Sequence, residues 1–222
     1  MKIVLTSDTH FPINPDLVND GDVLIHAGDL MYSGQADEWY PRLEALKALP
    51  HKIKILVPGN HDFHIRNYEG SAAAELRAAG IKLLGASRPS TVVEGVKILG
   101  LPWVTNLPGW AFNVTEDKLA TRLDDLGEVA TSADIIVSHC PPYKILDACN
   151  PDERRFKDQR HVGAKAYTTW LSNGVPKAVK HWVVGHIHES YGRTNVHGVE
   201  FYNVAMCDGD YKQVNSSMVI EL

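Results

Sequence analysis

The segment Ile53-Lys54-Ile55-Leu56-Val57-Pro58-Gly59-Asn60-His61-Asp62 joins an apolar, β-branched run to a breaker pair and three polar side chains. The run predicts a buried strand, and Pro58-Gly59 predicts that it stops abruptly. An amide oxygen, an imidazole and a carboxylate follow at adjacent positions. Such a set can supply a metal ligand, a proton donor and a partner that sets the donor's pKa. Taken alone, Gly59 to Asp62 would serve equally well as a loop whose Asn and Asp cap backbone groups. The rest of the chain breaks that tie.

Four other apolar runs end in the same way. Lys2 to Thr6 leads into Ser7-Asp8-Thr9-His10, and Asp22 to His26 into Ala27-Gly28-Asp29. Asp134 to Ser138 leads into His139-Cys140-Pro141-Pro142, and His181 to Val184 into Gly185-His186-Ile187-His188. Asp8 and His10 sit two apart, as do His186 and His188, so in a locally extended segment each pair points to one side. Ligand sites of open α/β sheets gather beyond the carboxyl ends of strands. The expected convergent set is therefore Asp8, His10, Asp29, Asn60, His61, His139, His186 and His188. Imidazole and oxygen donors without thiolate suit Mn, Fe, Zn or a similar borderline ion better than Ca or Mg. The set is too large for one ion; without His61 it divides between two metals that share a carboxylate.

Between these runs the pattern predicts helices. Trp39, Leu43, Leu46 and Leu49 recur at helical spacing over Gln35 to Leu49. Ser71 to Ala79 has N-cap and Gly80 punctuation, and Leu119, Leu123 and Leu126 follow Thr115 as N-cap. Tyr167, Trp170 and Leu171 mark a helix stopped by Asn173-Gly174 and Pro176. Ile81 to Leu84 is a further strand, and Thr91 to Val93 with Val96 to Leu101, around Glu94-Gly95, predicts a hairpin and hence mixed sheets. The end of the chain reads as hairpins: Tyr191 to Thr194, a turn near His197-Gly198, Val199 to Val204, and a last strand from Ser217 to Leu222. Phe11 to Asp20 reads as loop, and Tyr143 to Val162 as a polar surface excursion carrying Arg154, Arg155, Lys157 and Arg160.

The 222 residues suit one domain spanning 1–222, and 44% hydrophobic with 22% charged residues is ordinary for a globular chain. Ile3-Val4-Leu5 is too short for a signal peptide or a membrane span, so the expected location is cytoplasmic. The three cysteines fit neither a disulfide framework nor a CxxC zinc site, and Cys140 is expected to be a packing residue. A net charge of −5 argues against a broad nucleic-acid face, while bound metals would still admit anionic substrates. Eleven histidines are the compositional oddity. Outside the motifs, His26, His51, His64, His181 and His197 each read as core or surface residues, with His26 and His64 also near enough to support a ligand.

Asp8-Thr9-His10, Gly28-Asp29, Gly59-Asn60-His61-Asp62, Ser138-His139 and Gly185-His186-Ile187-His188 together resemble the ordered motifs of the calcineurin-like metallophosphoesterases. The resemblance implies an α/β fold of two mixed β-sheets packed face to face and flanked by helices. It implies that Asp8, His10 and His188 hold one divalent metal, that Asn60, His139 and His186 hold another, and that Asp29 bridges them. Mn2+ is the first choice, with Fe, Zn, Co or Ni as alternatives. His61 would protonate the leaving oxygen, with Asp62 orienting it and raising its pKa, as a metal-bound hydroxide attacks phosphorus in line. Gly185 to Gly192, with His161-Val162-Gly163 upstream, is similar to the small, cap-free phosphodiesterases that include cyclic-nucleotide hydrolases related to the brain 239 protein. A small phosphodiester such as a cyclic nucleotide is thus the implied substrate, with Asn60 and His161 as substrate contacts. A phosphomonoesterase, a nuclease and a non-catalytic scaffold are the alternatives.

Overall fold

The computed structural model describes residues 1–149, 161–174 and 178–222. Strands β1 (Lys2–Thr6) and β2 (Val23–His26) precede helix α1 (Ala36–Ala48), and β3 (Ile53–Leu56) precedes α2 (Phe63–Asn67), α3 (Glu69–Ala78) and β4 (Ile81–Leu83). The hairpin β5 (Ser90–Val93) and β6 (Val96–Leu101) is followed by the short strands β7 (Val104–Thr105) and β8 (Asn113–Val114) and by α4 (Glu116–Asp125) and α5 (Glu128–Thr131). Next come β9 (Ile135–Ser138), α6 (Lys165–Ser172) and β10 (His181–Val184), then β11 (Gly192–Val196), β12 (Val199–Asn203) and β13 (Met218–Glu221).

The strands form two large sheets, β13-β1-β2-β3-β4 and β11-β12-β10-β9-β6-β5. Strands β1 to β4 are parallel, as are β6, β9, β10 and β12, while β13, β11 and β5 lie antiparallel at edges. The alternation of side chains along each strand assembles the layers. Ile3, Leu5, Ile25 and Ile55 turn inward and meet Ile98, Ile135, Val137 and Val183 of the other sheet. Val4, Leu24 and Leu56 turn outward under Trp39, Leu43 and Leu46 of α1 and Leu76 of α3. On the far side, Leu99, Ile136, Trp182 and Phe201 pack against Leu119 and Leu123 of α4 and Tyr167 and Trp170 of α6. Central strands covered on both faces need continuous apolar runs, which is why the motifs follow such runs. The architecture is the expected sandwich of two mixed sheets between helices.

Glu94 and Gly95 both have positive φ (47° and 86°), as a two-residue turn matched to strand twist requires. Thr115 caps α4 by accepting from the Lys118 N–H at 3.3 Å. Two expectations need correction, and helix α2 gave no sequence signal. Helix α3 begins at Glu69, so Ser71 lies inside its first turn, where its Oγ donates to the Tyr68 carbonyl at 3.0 Å instead of capping. Helix α2 has five residues, too few for a period to show. The last strand is no hairpin partner of β12: β13 crosses to the first sheet and pairs with β1, burying Ile220 between the sheets. Pro176 and the cationic residues Arg154, Arg155, Lys157 and Arg160 lie outside the described residues. Among those described, no helix is long and apolar enough to cross a membrane.

Candidate metal centre

The parallel strands of both sheets point their carboxyl ends the same way, and Ser7 pairs with Ala205 where the sheets meet. The loops after β1, β2 and β3 bring Asp8, His10, Asp29, Asn60 and His61; those after β9 and β10 bring His139, His186 and His188. The ligand atoms fall into three overlapping groups: Asp8, His10 and His188; His10, Asp29 and His61; Asp29, His139 and His186. Asn60 joins the third through Oδ1, 3.1 Å from His139 Nε2. Asp29 lies between the outer groups, its Oδ2 being 3.3 Å from His139 Nε2 and 4.0 Å from His10 Nε2.

Asp8 and His10 converge, but not through an extended segment. Asp8, His10, Asp29 and His186 all have left-handed backbone, with φ of 51°, 51°, 56° and 70°. That conformation costs an L-residue roughly 1–2 kcal/mol. Cross-loop hydrogen bonds hold it: Asp8 N–H to the Gly28 carbonyl at 2.8 Å, His10 N–H to the Asp29 carbonyl at 3.0 Å, and His186 N–H to the Asp8 carboxylate at 2.9 Å. The motif glycines have a packing reason. A Cβ on Gly59 would strike the Asp29 carboxylate, and one on Gly185 would strike that of Asp8.

The histidine tautomers follow from their partners. A carbonyl oxygen only accepts, so the Nδ1 of His10 donates to Met31 (3.0 Å), that of His139 to Ala27 (2.8 Å), that of His188 to Asp208 (2.8 Å), and that of His61 to Tyr32. Each Nε2 is thereby turned inward. The Nε2 atoms of His10 and His188 face each other at 3.2 Å, two acceptors when both rings are neutral, and His139 Nε2 faces the acceptor Asn60 Oδ1 in the same way. Acceptors opposed at such distances beside two buried carboxylates require cations, and the nitrogen–oxygen donor set fits divalent ones.

Protons answer the same demand. Burial opposes charge on His139, yet the Asp29 carboxylate overcomes it and pushes the pKa up to about 9. Burial likewise opposes charge on His188, and its hydrogen bond with Asp8 raises it to about 9. Burial works against ionised Asp8 and Asp29 too, but the histidines hold both below the usual carboxylate range. His186, buried beside His139, falls to about 3. A histidine raised from 6.5 to about 9 stabilises the fold fully below its unfolded value, and this contribution is lost as pH rises through about 9. The metal-free protein is therefore expected to melt at progressively lower temperature from pH 6.5 to 9.5, and divalent metal to flatten that slope. Thermal unfolding with and without a chelator checks this; a flat metal-free profile contradicts it.

Asp62 does not orient the His61 ring. Its carboxylate is fully buried and accepts from the backbone N–H groups of Gly59 (2.8 Å), Asp29 (3.0 Å) and Met31 (3.0 Å), tying the loops after β2 and β3 together. The Tyr32 carbonyl fixes His61 instead. His161 is not among the residues lining the cleft; its Nδ1 lies 2.7 Å from Asp147 Oδ1. His26 supports the centre from beneath through Thr9 Oγ1 at 3.0 Å, whereas His64 stacks on Trp39 with ring centres 5.0 Å apart. Cys140 is buried, and burial pushes its thiol up to about 12, as a packing role requires.

Several contributors escaped the sequence reading. Glu38, the third residue of α1, reaches back to the N–H groups of Tyr32, Ser33 and Gly34 and so shapes the loop whose carbonyls hold His10 and His61. A glutamate at that helical position is a legible cap signal. One turn on, Arg42 donates to the His10 carbonyl at 3.2 Å. Trp110 and Tyr211 line the cleft with Asp29, Asn60, His61 and His188.

Two mixed sheets whose carboxyl ends carry paired His/Asp clusters define a metallophosphoesterase-type hydrolase. The profile of the family described as Calcineurin-like phosphoesterase matches residues 1–190, and the chain belongs to that family. Human metallophosphoesterase domain-containing protein 1 is 28% identical over 240 residues, covering 100% of this chain and 71% of that protein. The UPF0046 protein C25E10.12 of Caenorhabditis elegans is 27% identical over 239 residues, covering 100% of this chain and 81% of that protein. The crystal structure of the phosphopantetheinyl hydrolase PptH from Mycobacterium tuberculosis superposes with a TM-score of 0.59 at 17% identity, covering 95% of this chain and 90% of that one, a likeness of fold. The chain is a phosphoric ester hydrolase of this metal-dependent family.

Proposed function

We propose that the whole chain acts as one phosphodiesterase domain on a small phosphodiester such as a cyclic nucleotide, in the cytoplasm, with two divalent ions, Mn2+ first among them. Asp8, His10 and His188 would hold one ion and Asn60, His139 and His186 the other, with Asp29 between them. When bound, the ions supply positive charge for the phosphoryl oxygens and acidify water at neutral pH. Asn60 lines the cleft and would contact substrate beside its ligand role. His61, anchored through Nδ1 with Nε2 inward, is placed to give a proton to the departing oxygen.

The observation that favours a diester is the charge of the cleft. Its lining is Asp29, Asn60, His61, Leu107, Trp110, His186, His188, Glu189, Gly209 and Tyr211, with neither lysine nor arginine among the described residues. A monoester brings a second negative charge toward Asp29 and Glu189; a diester brings one. The test is hydrolysis of bis(p-nitrophenyl) phosphate against p-nitrophenyl phosphate by metal-stripped protein reloaded with Mn2+. The expected result is metal-dependent turnover favouring the diester. Preference for the monoester would replace the reading with a phosphatase, and silence on both with metals bound would replace it with a scaffold.

A further inference from the structure

Aromatic rings crowd the mouth of the metal centre. Tyr211 stands edge-on over His10 and His188, with ring centres 4.8 and 5.3 Å away, and Trp110 packs on His61 at 4.5 Å. The two rings come from unrelated loops, one after β7 and one after β12, and line a cleft of about 300 Å³. Trp110 is 38% exposed, a poor place for an indole whose only task is packing.

Both loops are built rather than loose. Tyr211 has φ of 62°, a strained conformation for an aromatic residue, and it is held by a turn in which the Asp208 carboxylate accepts from the N–H groups of Asp210 (2.9 Å) and Lys212 (3.0 Å). The Asp208 carbonyl that accepts from Tyr211 N–H also accepts from His188 Nδ1. On the other side, the residue after Trp110 donates its N–H to the Asn60 carbonyl at 3.2 Å. Each ring is thus fixed in register with a residue of the metal centre.

We propose that Trp110 and Tyr211 form a clamp that selects phosphoesters carrying a planar aromatic group of the nucleobase kind. This rests on the phosphoesterase reading of the cleft and adds the residues that choose its substrate. A base held by π-faces needs no particular hydrogen-bond pattern, so the clamp accepts purines and pyrimidines alike. A phosphoester with only an aliphatic or sugar group leaves both rings uncovered.

The test is calorimetric binding of adenosine monophosphate and of ribose phosphate to the Mn2+-loaded full chain, probes that differ only in the base. The expected result is about ten-fold tighter binding of the nucleotide, the scale of one base–aromatic stack. That ratio should fall toward one in Trp110→Ala and in Tyr211→Ala, with Trp110→Phe keeping most of it. Equal affinities in the wild type, or a preference that survives both alanine variants, would overturn the clamp. Because binding is read without turnover, base preference without diester hydrolysis would sink only the phosphodiesterase reading. Diester hydrolysis without base preference would sink only the clamp.

Discussion

Asp29→Asn is expected to lower Mn2+-dependent phosphodiester turnover by about 10³-fold, the scale of losing a preorganised charge at a reacting centre. The change is nearly isosteric, so the loss is one of charge. Asp29 Oδ2 is within 4.0 Å of the Nε2 atoms of His10, His61 and His139, and Oδ1 accepts from the His61 N–H at 2.8 Å. Without the carboxylate, the two proposed sites would lose their common donor and the charge that offsets two divalent ions beside His10 and His139. Metal content should drop from two ions per chain to one or fewer, measured by plasma mass spectrometry alongside kcat. Full occupancy with wild-type turnover would show that Asp29 is no bridge.

His61→Ala is expected to keep both ions and still lose 10²–10⁴-fold in kcat, the usual contribution of a positioned general acid. His61 touches the centre without being needed to complete either set of donors, and its Nδ1 is committed to the Tyr32 carbonyl. A substrate with a very acidic leaving group should suffer less, since such an oxygen departs without a proton. Unchanged turnover of a poor leaving group would remove His61 from the mechanism, and loss of metal would make it a ligand.

The layers of the fold were legible because both sheets are parallel at their centres, and parallel strands covered on both faces must be written as apolar runs. The same runs announce where the site lies. Ile53 to Val57 ending in Gly59-Asn60-His61 is such a run, and so is Ile135 to Val137 ending in Ser138-His139. What could not be read is what depends on distant partners. Nothing near Asp62 says that its acceptors' hydrogens come from Asp29 and Met31, more than thirty residues upstream, so its adjacency to His61 suggested the wrong partner. Strand β13 is an edge strand whose alternation fits either sheet, and only the open edge of β1 decides. The left-handed turns at Asp8, His10, Asp29 and His186 oppose local preference and exist only because several loops fix one another. Trp110 and Tyr211 carry no sequence signal, being single aromatic residues in loops near glycines.

The most direct measurement is anomalous diffraction at the manganese edge from crystals of the Mn2+-loaded protein. Two peaks are expected, one among Asp8, His10 and His188 and one among Asn60, His139 and His186, with the Asp29 carboxylate reaching both. A single peak, or two that leave Asp29 unbound, would contradict that arrangement.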